Sequence, residues 1–204
     1  MTKTEFDQLT AAAKPTLDAI RNCAHELHQS VNQLYDGTKP YGFHLDMVAD
    51  GVFRYGHEIC QRKQDVAPLF FGAWFHDSIE DARLTYNDVT RIARRFMDEE
   101  QAHMAAEIVY ALTNEKGRTR EERADERYYR GIRETPYAPF VKLCDRAANI
   151  AYSCQGTDES NNHMREVYSR ELPHFLKALQ APTDDLRMSL PEGLKAEIET
   201  SLQS

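Results

Sequence analysis

Residues 66–81 read VAPLFFGAWFHDSIED, an apolar run that passes directly into a histidine and three carboxylates. The segment 66–75 is apolar on every face of a helix, and a helix of that kind is buried inside a globular protein. The run is too short to span a bilayer, and it contains Pro68 and Gly72. The sequence therefore predicts a short buried helix, from Pro68 to His76, that carries polar residues into the interior.

The rest of the chain also shows helical periodicity, and no run of strict alternation indicates a strand. Apolar side chains recur at three- and four-residue steps from Leu17 through Val31 to Leu34, and the turn cluster 36–40 ends that helix. Further helices are predicted near residues 44–61, 85–96, 100–113, 120–133, 138–155, 162–180 and 191–202. We predict an all-α bundle of roughly eight helices. One domain spans 1–182, and a helical tail, 183–204, packs on the same domain.

The overall charge limits the classes of partner. The 204 residues include 25 Lys and Arg against 33 Asp and Glu, which gives a formal net charge of −8. A polyanion is not attracted to such a chain, so we expect neither long nucleic acids nor an anionic membrane surface as partners. The sequence leaves homo-oligomer formation open.

Cysteine usage and the N-terminus indicate a cytoplasmic protein. The four cysteines, Cys23, Cys60, Cys144 and Cys154, form no C-x-x-C pair or zinc-knuckle spacing, and their scatter favours reduced thiols. Residues 1–7 lack the basic and apolar regions of a signal peptide. We therefore expect a cytoplasmic location.

Polar residues crowd the end of the predicted buried helix. Residues four apart share a helix face, so Glu80 lies one turn beyond His76 and Asp81 one turn beyond Asp77. Carboxylates that lie so close together repel one another unless a cation or a proton lies between them. A mixture of imidazole nitrogen and carboxylate oxygen suits Mn, Fe, Zn and similar divalent ions. The segment thus predicts a metal site.

Two more polar residues lie in apolar helical surroundings and extend the predicted site. His44 begins the helix that contains Met47 and Val48, and Asp145 lies in the apolar segment 140–150. A buried carboxylate needs a partner. Together with His76 and Asp77 they predict a two-His, two-Asp metal site drawn from three helices, and Asn149 shares a face with Asp145.

This H…HD…D pattern resembles that of the HD-domain metal-dependent phosphohydrolases. The surrounding segments resemble the hydrolase domain of the RelA/SpoT family, and in size the chain is similar to its small single-domain alarmone hydrolases. The Glu-Asp pair after the HD dipeptide is the more discriminating feature within the wider superfamily. The resemblance spans roughly residues 20–155 and rests on PYGFH with VA (40–44 and 48–49), HDSIED (76–81), LT (112–113) and VKLCDR with Asn149 (141–146).

The resemblance implies the activity and the role of each residue. One divalent metal ion, expected to be Mn²⁺, is held by His44, His76, Asp77 and Asp145. Glu80 and Asp81 match the acidic pair assigned to water activation, so one of them acts as general base. The implied reaction removes the 3′-pyrophosphate of ppGpp or pppGpp and leaves GDP or GTP. Four residues match or replace substrate-side positions: Tyr35, Lys39, Lys142 and Asn149.

The sequence departs from the family where the substrate is recognised. The family carries an Arg-Lys pair ahead of the Pro-Tyr motif, whereas this chain has Tyr35 and Asp36; Tyr35 could stack on a purine, and Lys39 could replace one charge. After Asn149 the family often has an Arg-Thr pair, and here the residues are Ala151 and Tyr152. Two alternatives therefore stay open. The first is a phosphohydrolase for another nucleotide (an adenine alarmone, a deoxynucleotide or NADPH), and the second is a nucleotide-binding regulator without turnover.

The segment 115–134 is rich in both signs of charge. Arg120, Arg123, Arg127 and Arg130 follow helical spacing and form one basic stripe. We interpret it first as a solvated helix with ion pairs one turn apart. The alternative is a rim that grips the phosphates of a substrate.

Overall fold

A computed structural model describes residues 1–114, 118–156 and 159–203, apart from the side chains of Arg120 and Glu121. The protein is all-α, as predicted. Within these ranges there are ten helices of eight residues or more, together with the single turn α7 and one two-stranded hairpin. The helices are α1 Lys3–Ala12, α2 Lys14–Ser30, α3 Gly42–Ile59, α4 Val66–Phe75, α5 Tyr86–Ala93, α6 Glu99–Leu112, α7 Arg120–Arg123, α8 Glu126–Glu134, α9 Ala138–Gln155, α10 Glu159–Leu179 and α11 Glu192–Gln203; the strands are β1 Leu34–Tyr35 and β2 Lys39–Pro40.

The described residues form ten helices of eight residues or more, whereas roughly eight were predicted, and the elements differ in three places. Helix α1 was not predicted, although Thr2 and Glu5 form a capping box at its start. Helix α2 ends at Ser30, so Val31 and Leu34 lie beyond it and are 43% and 50% exposed instead of continuing its apolar face. The predicted helix 120–133 is interrupted before Asp125, whose side chain caps α8.

Helix α4 lies at the centre of the molecule, where α2, α3, α6 and α9 all pack against it. Nine of its ten residues are buried, and Phe71 stacks on Phe75 with ring centroids 4.1 Å apart. At Gly72 a Cβ atom would lie 2.5 Å from the Ile108 side chain of α6, so only a glycine permits this close approach of the two helices. The all-apolar run is thus a buried helix that ends at the polar residues 76–81, as the sequence predicted.

Helices α3 and α9 form the second support of this region. Their contact is the most extensive between any two described elements. They meet where Gly51 faces Cys144, since a Cβ atom at position 51 would lie 2.8 Å from the Cys144 sulfur. Because α3 carries His44 and α9 carries Asp145, this close approach fixes the separation of two predicted metal ligands.

The start of α9 is held in place by an unusual residue. Tyr137 has φ 70°, in the left-handed region, and its side chain is fully buried. Its amide donates to the Arg187 carbonyl at 2.7 Å, and its hydroxyl donates to the buried Asp65 carboxylate at 2.5 Å. These bonds offset the backbone strain, which costs of order 1–3 kcal/mol, and they fix the direction in which α9 leaves.

The C-terminal helix α11 also packs on α9, with Leu194 and Ile198 buried. All four cysteines are free thiols. Among the helices of the described ranges, none combines the length and the apolar character that crossing a membrane requires.

Candidate metal centre

Four predicted metal ligands lie together. His44 is in the first turn of α3, His76 and Asp77 directly follow α4, and Asp145 lies in α9. The Nε2 atom of His44 is 3.3 Å from His76 Nε2 and 3.3 Å from Asp145 Oδ1, while His76 Nε2 is 2.9 Å from Asp77 Oδ2. Both imidazoles are 2% exposed. The His44, His76 and Asp145 side chains each offer one atom within 4.8 Å of the others, so this buried group could hold a metal ion.

The His76 imidazole is oriented as a metal ligand would be. His76 Nδ1 lies 2.8 Å from the Ala73 carbonyl oxygen, so with the proton on Nδ1 the Nε2 lone pair points into the centre. A metal-binding histidine usually makes this kind of bond with its other ring nitrogen. Two imidazole nitrogens and two carboxylates around one point match the ligand preferences of borderline divalent ions. The residues present therefore fit a divalent cation.

The charges of the group depend on one another. Burial alone would lower the pKa of His76, but the carboxylates of Asp77 and Asp145 outweigh it and raise that pKa to about 9. Burial likewise opposes ionisation of Asp77, and the adjacent His76 still holds the pKa of Asp77 below its usual range. A bound dication would take over the role of this imidazole proton, so its binding would release a proton and strengthen as pH rises.

Lys142 and Asn149, both predicted to contact substrate, hydrogen-bond to Asp145. Lys142 Nζ donates to Asp145 Oδ2 at 2.9 Å, and Asn149 Nδ2 donates to Oδ1 at 2.7 Å. Burial opposes the charge on Lys142, yet Asp145 holds the pKa of the lysine well above its usual value. Each oxygen of Asp145 thus has a fixed partner. That either residue contacts substrate stays a prediction.

The two candidate general bases have different surroundings. The exposed Glu80 accepts hydrogen bonds from the Asn114 amide at 2.6 Å and from its side-chain nitrogen at 3.1 Å. Asp81 is half-buried, and burial together with the charge of Asp77 raises its pKa to about 6. Asp81 is therefore coupled to the centre, whereas Asn114 holds Glu80.

The hairpin of β1 and β2 covers the centre. The Tyr35 ring stacks on the His44 imidazole, with centroids 4.8 Å apart and planes 6° apart, and its hydroxyl donates to Asn149 Oδ1 at 2.9 Å. Tyr152 meets the Tyr35 ring edge-on, and its hydroxyl donates to Asp36 at 2.7 Å. Lys39 lies over the Phe43 ring at 5.0 Å. The hairpin thus brings Tyr35 to the metal ligands and leaves Lys39 further out.

Tyr41 is a residue of the site to which the sequence assigned no role. Its hydroxyl donates to Asp77 Oδ2 at 2.5 Å and lies within hydrogen-bonding reach of Asp81. The position of Tyr41, three residues before His44 and so on the same side of the helix start, is the signal that could have found it.

His28 packs against the ring of Tyr41. Its imidazole is fully buried and stacks on the Tyr41 ring at 4.8 Å, and neither ring nitrogen has a hydrogen-bond partner among the described residues. Burial lowers the pKa of His28 to about 4. The sequence alone gave it no role, although its four-residue spacing from Ile20 and Ala24 places it on the buried face of α2.

We expect His28→Phe to make the protein less sensitive to acid. The unfolded imidazole has a pKa near 6.5 and the folded one about 4, so the unfolded state binds more protons between these values. Stability is then complete above pH 6.5 and falls as pH drops towards 4, by about 3 kcal/mol for this group. Urea unfolding at pH 7 and pH 5 measures the difference.

The matched control is His163→Phe, at an exposed position of α10. This variant should keep the wild-type loss of stability between the two pH values, whereas His28→Phe should lose about 2 kcal/mol less over that interval. Equal acid sensitivity in the wild type and His28→Phe would contradict the assignment.

The basic segment is only partly described, because Lys116 and the side chain of Arg120 lie outside the described residues. Arg127 and Arg130 line a cleft of about 400 Å³ between α6 and α8, and Asn114, the partner of Glu80, lines it too. Both interpretations of this segment, the ion-paired helix and the phosphate-gripping rim, stay predictions.

No protein-family model matches this chain, and no curated protein sequence matches it. A family assignment therefore stays a proposal. The structure itself contributes the all-α fold and the buried His44, His76 and Asp145 group.

Proposed function

We propose that this protein is a divalent-metal-dependent phosphohydrolase that removes the 3′-pyrophosphate from ppGpp and pppGpp. The observation that carries the proposal is the convergence of His44, His76, Asp77 and Asp145 from three helical segments. These four residues occur in the chain order of the H…HD…D pattern, and Asp81 follows Asp77 by four residues. The proposal includes Mn²⁺ as the metal, a small phosphorylated nucleotide as the substrate and a cytoplasmic location.

In the proposed reaction the four metal ligands hold the dication, and Asp81 accepts a proton from the attacking water. When bound, the dication would polarise a phosphoryl oxygen and lower the pKa of water. Asp81 accepts a proton from the water that attacks the phosphorus next to the 3′-oxygen; the bond from that phosphorus to the 3′-oxygen breaks, and the 3′-oxygen takes up a proton. With a pKa of about 6, Asp81 is ionised and ready to act as base at neutral pH.

Tyr41 and Lys142 keep the carboxylates in position for this reaction. Tyr41 donates to Asp77, so that carboxylate is oriented towards His76. Lys142 favours the ionised form of Asp145, since it donates to it at 2.9 Å in a largely buried setting. Both residues act on the acidic side chains of the centre and so support the proposed metal binding.

The hairpin favours a second candidate, the hydrolysis of another nucleotide at the same centre. Where the RelA/SpoT family carries an Arg-Lys pair, this protein has Tyr35 stacked on His44 and Asp36 bound to Tyr152. The pair that holds the base and phosphates in that family is therefore replaced here, and this leaves the identity of the base open. An adenine alarmone, a deoxynucleotide or NADPH is therefore the alternative substrate class.

The proposal is tested with the purified full chain, Mn²⁺ and a panel of ppGpp, pppGpp, ppApp, deoxynucleoside triphosphates and NADPH. We expect ppGpp to give GDP and pyrophosphate, and EDTA to stop the reaction. Products from another member of the panel alone would favour the second candidate. Tight nucleotide binding without any turnover would contradict both and indicate a regulatory protein.

A further inference from the structure

Tyr35 contacts two parts of the metal centre. Its ring stacks on His44, and its hydroxyl donates to Asn149, which in turn donates to Asp145. From these contacts we infer that Tyr35 is a positioning residue of the metal centre and that closure of the hairpin and metal binding support each other. The inference rests on the metal centre of the proposed function and is independent of which nucleotide is hydrolysed.

The hydroxyl acts through Asn149. It donates to Asn149 Oδ1 at 2.9 Å, and Asn149 Nδ2 donates in turn to Asp145 Oδ1 at 2.7 Å and to the Asp145 carbonyl at 3.0 Å. An amide whose oxygen accepts this bond presents its nitrogen to the carboxylate; the flipped amide would place two oxygens against each other. The two Asp145 oxygens thus set the orientation of the Asn149 amide, and the Tyr35 hydroxyl holds that amide in place against Asp145.

The ring acts on His44. His76 is oriented by its bond to the Ala73 carbonyl, but His44 Nδ1 has no hydrogen-bond partner among the residues that the structure describes. What lies flat against the His44 imidazole is the Tyr35 ring, at 4.8 Å and 6°. Stacking therefore restrains the ring plane of His44, a task that a hydrogen bond performs for His76.

The two contacts link the hairpin to the metal. His44 and Asp145 come from different helices, and Tyr35 reaches both of them from a hairpin whose turn is held by Asp36 and Tyr152. Coupling of this kind is reciprocal. If the closed hairpin strengthens metal binding, the bound metal stabilises the closed hairpin to the same extent. A bound cation should therefore keep the hairpin closed over the centre.

The test measures Mn²⁺ binding alone by titration calorimetry, on the full chain freed of metal with a chelator. Loss of an outer partner of a metal ligand typically weakens binding about 10- to 100-fold. We expect Tyr35→Phe, which keeps the ring and loses the hydroxyl, to bind about 10-fold more weakly, and Tyr35→Ala about 100-fold more weakly. The control Tyr110→Phe, at an exposed position on α6, should bind as the wild type does.

A double-mutant cycle separates the relay from a general loss of order. Because the hydroxyl acts through Asn149, adding Tyr35→Phe to Asn149→Ala should weaken Mn²⁺ binding less than twofold further. Hydrogen exchange supplies the reciprocal measurement: Mn²⁺ should slow exchange of the amides in 34–40 in the wild type and not in Tyr35→Ala.

Wild-type Mn²⁺ affinity in Tyr35→Phe, or fully multiplicative losses in the double mutant, would overturn the inference. A wild type that binds neither Mn²⁺ nor Zn²⁺ would overturn it as well. A wild type that binds Mn²⁺ with the expected dependence on Tyr35 but hydrolyses no nucleotide would refute the proposed function and leave this inference standing.

Discussion

Asp145→Asn is expected to lose nucleotide hydrolysis by more than about 100-fold, beyond the usual cost of removing an outer partner of a metal ligand. The substitution keeps the shape of the side chain and removes the negative charge that lies 3.3 Å from His44 Nε2. The centre then has one fewer anionic oxygen for a dication. Turnover of the best substrate in the panel and Mn²⁺ affinity by calorimetry are the two measurements.

Two further variants make this result specific. Asp145→Asn also leaves the Lys142 ammonium without its carboxylate partner, so it lowers stability as well. Asp77→Asn keeps the Lys142–Asp145 pair and should lose turnover to a similar extent. Asp50→Asn, at an exposed carboxylate on α3 that pairs with Arg54, should behave as the wild type. Wild-type turnover in Asp145→Asn would refute the assignment of the metal centre.

Asp81→Asn is expected to lower kcat by about 10²- to 10⁴-fold, the contribution that a general base usually makes. Asp81 feels the charge of Asp77 but is not one of the grouped ligand side chains, so Mn²⁺ affinity should stay within about threefold of the wild type. A large loss of kcat with metal affinity retained is the signature of a proton-accepting group. Steady-state kinetics at saturating Mn²⁺ measures it.

Glu80→Gln is the matched control, because it neutralises the neighbouring carboxylate. Since Asn114 holds Glu80, we expect its loss of kcat to stay below about tenfold. The wild-type kcat should fall as pH drops through about 6 or somewhat lower, because the base must be ionised and a bound dication lowers its pKa. A larger loss in Glu80→Gln than in Asp81→Asn would reverse the two roles.

The fold class and the polar end of the buried helix follow from local patterns, whereas the grouping of His44 and Asp145 with His76 joins distant parts of the chain. The all-apolar run predicts a buried helix at 68–76, and the structure has one at Val66–Phe75. His76, Asp77 and Asp81 are joined by helix-like spacing, and the Asp81 amide does bond the Asp77 carbonyl. Such relationships span at most one turn, which is the range over which sequence spacing determines geometry.

The parts that the sequence missed depend on distant contacts or on weak signals. Tyr35 and Asn149 are 114 positions apart, and nothing local indicates that their side chains touch. The stacking of His28 on Tyr41 depends on how α2 packs beside α3. Helix α1 buries little beyond Phe6, so its apolar stripe is faint, although its Thr2–Glu5 capping box is legible in the sequence.

Because Cys144 packs against Gly51, the reactivity of its thiol reports on the contact between α3 and α9. Burial raises the pKa of the Cys144 thiol well above its usual value, so an alkylating reagent reacts with it faster when a separation of α3 and α9 exposes the sulfur. Those two helices carry His44 and Asp145. The rate at which the reagent labels Cys144 therefore follows how often the helices that carry His44 and Asp145 move apart, with no cysteine introduced into the chain.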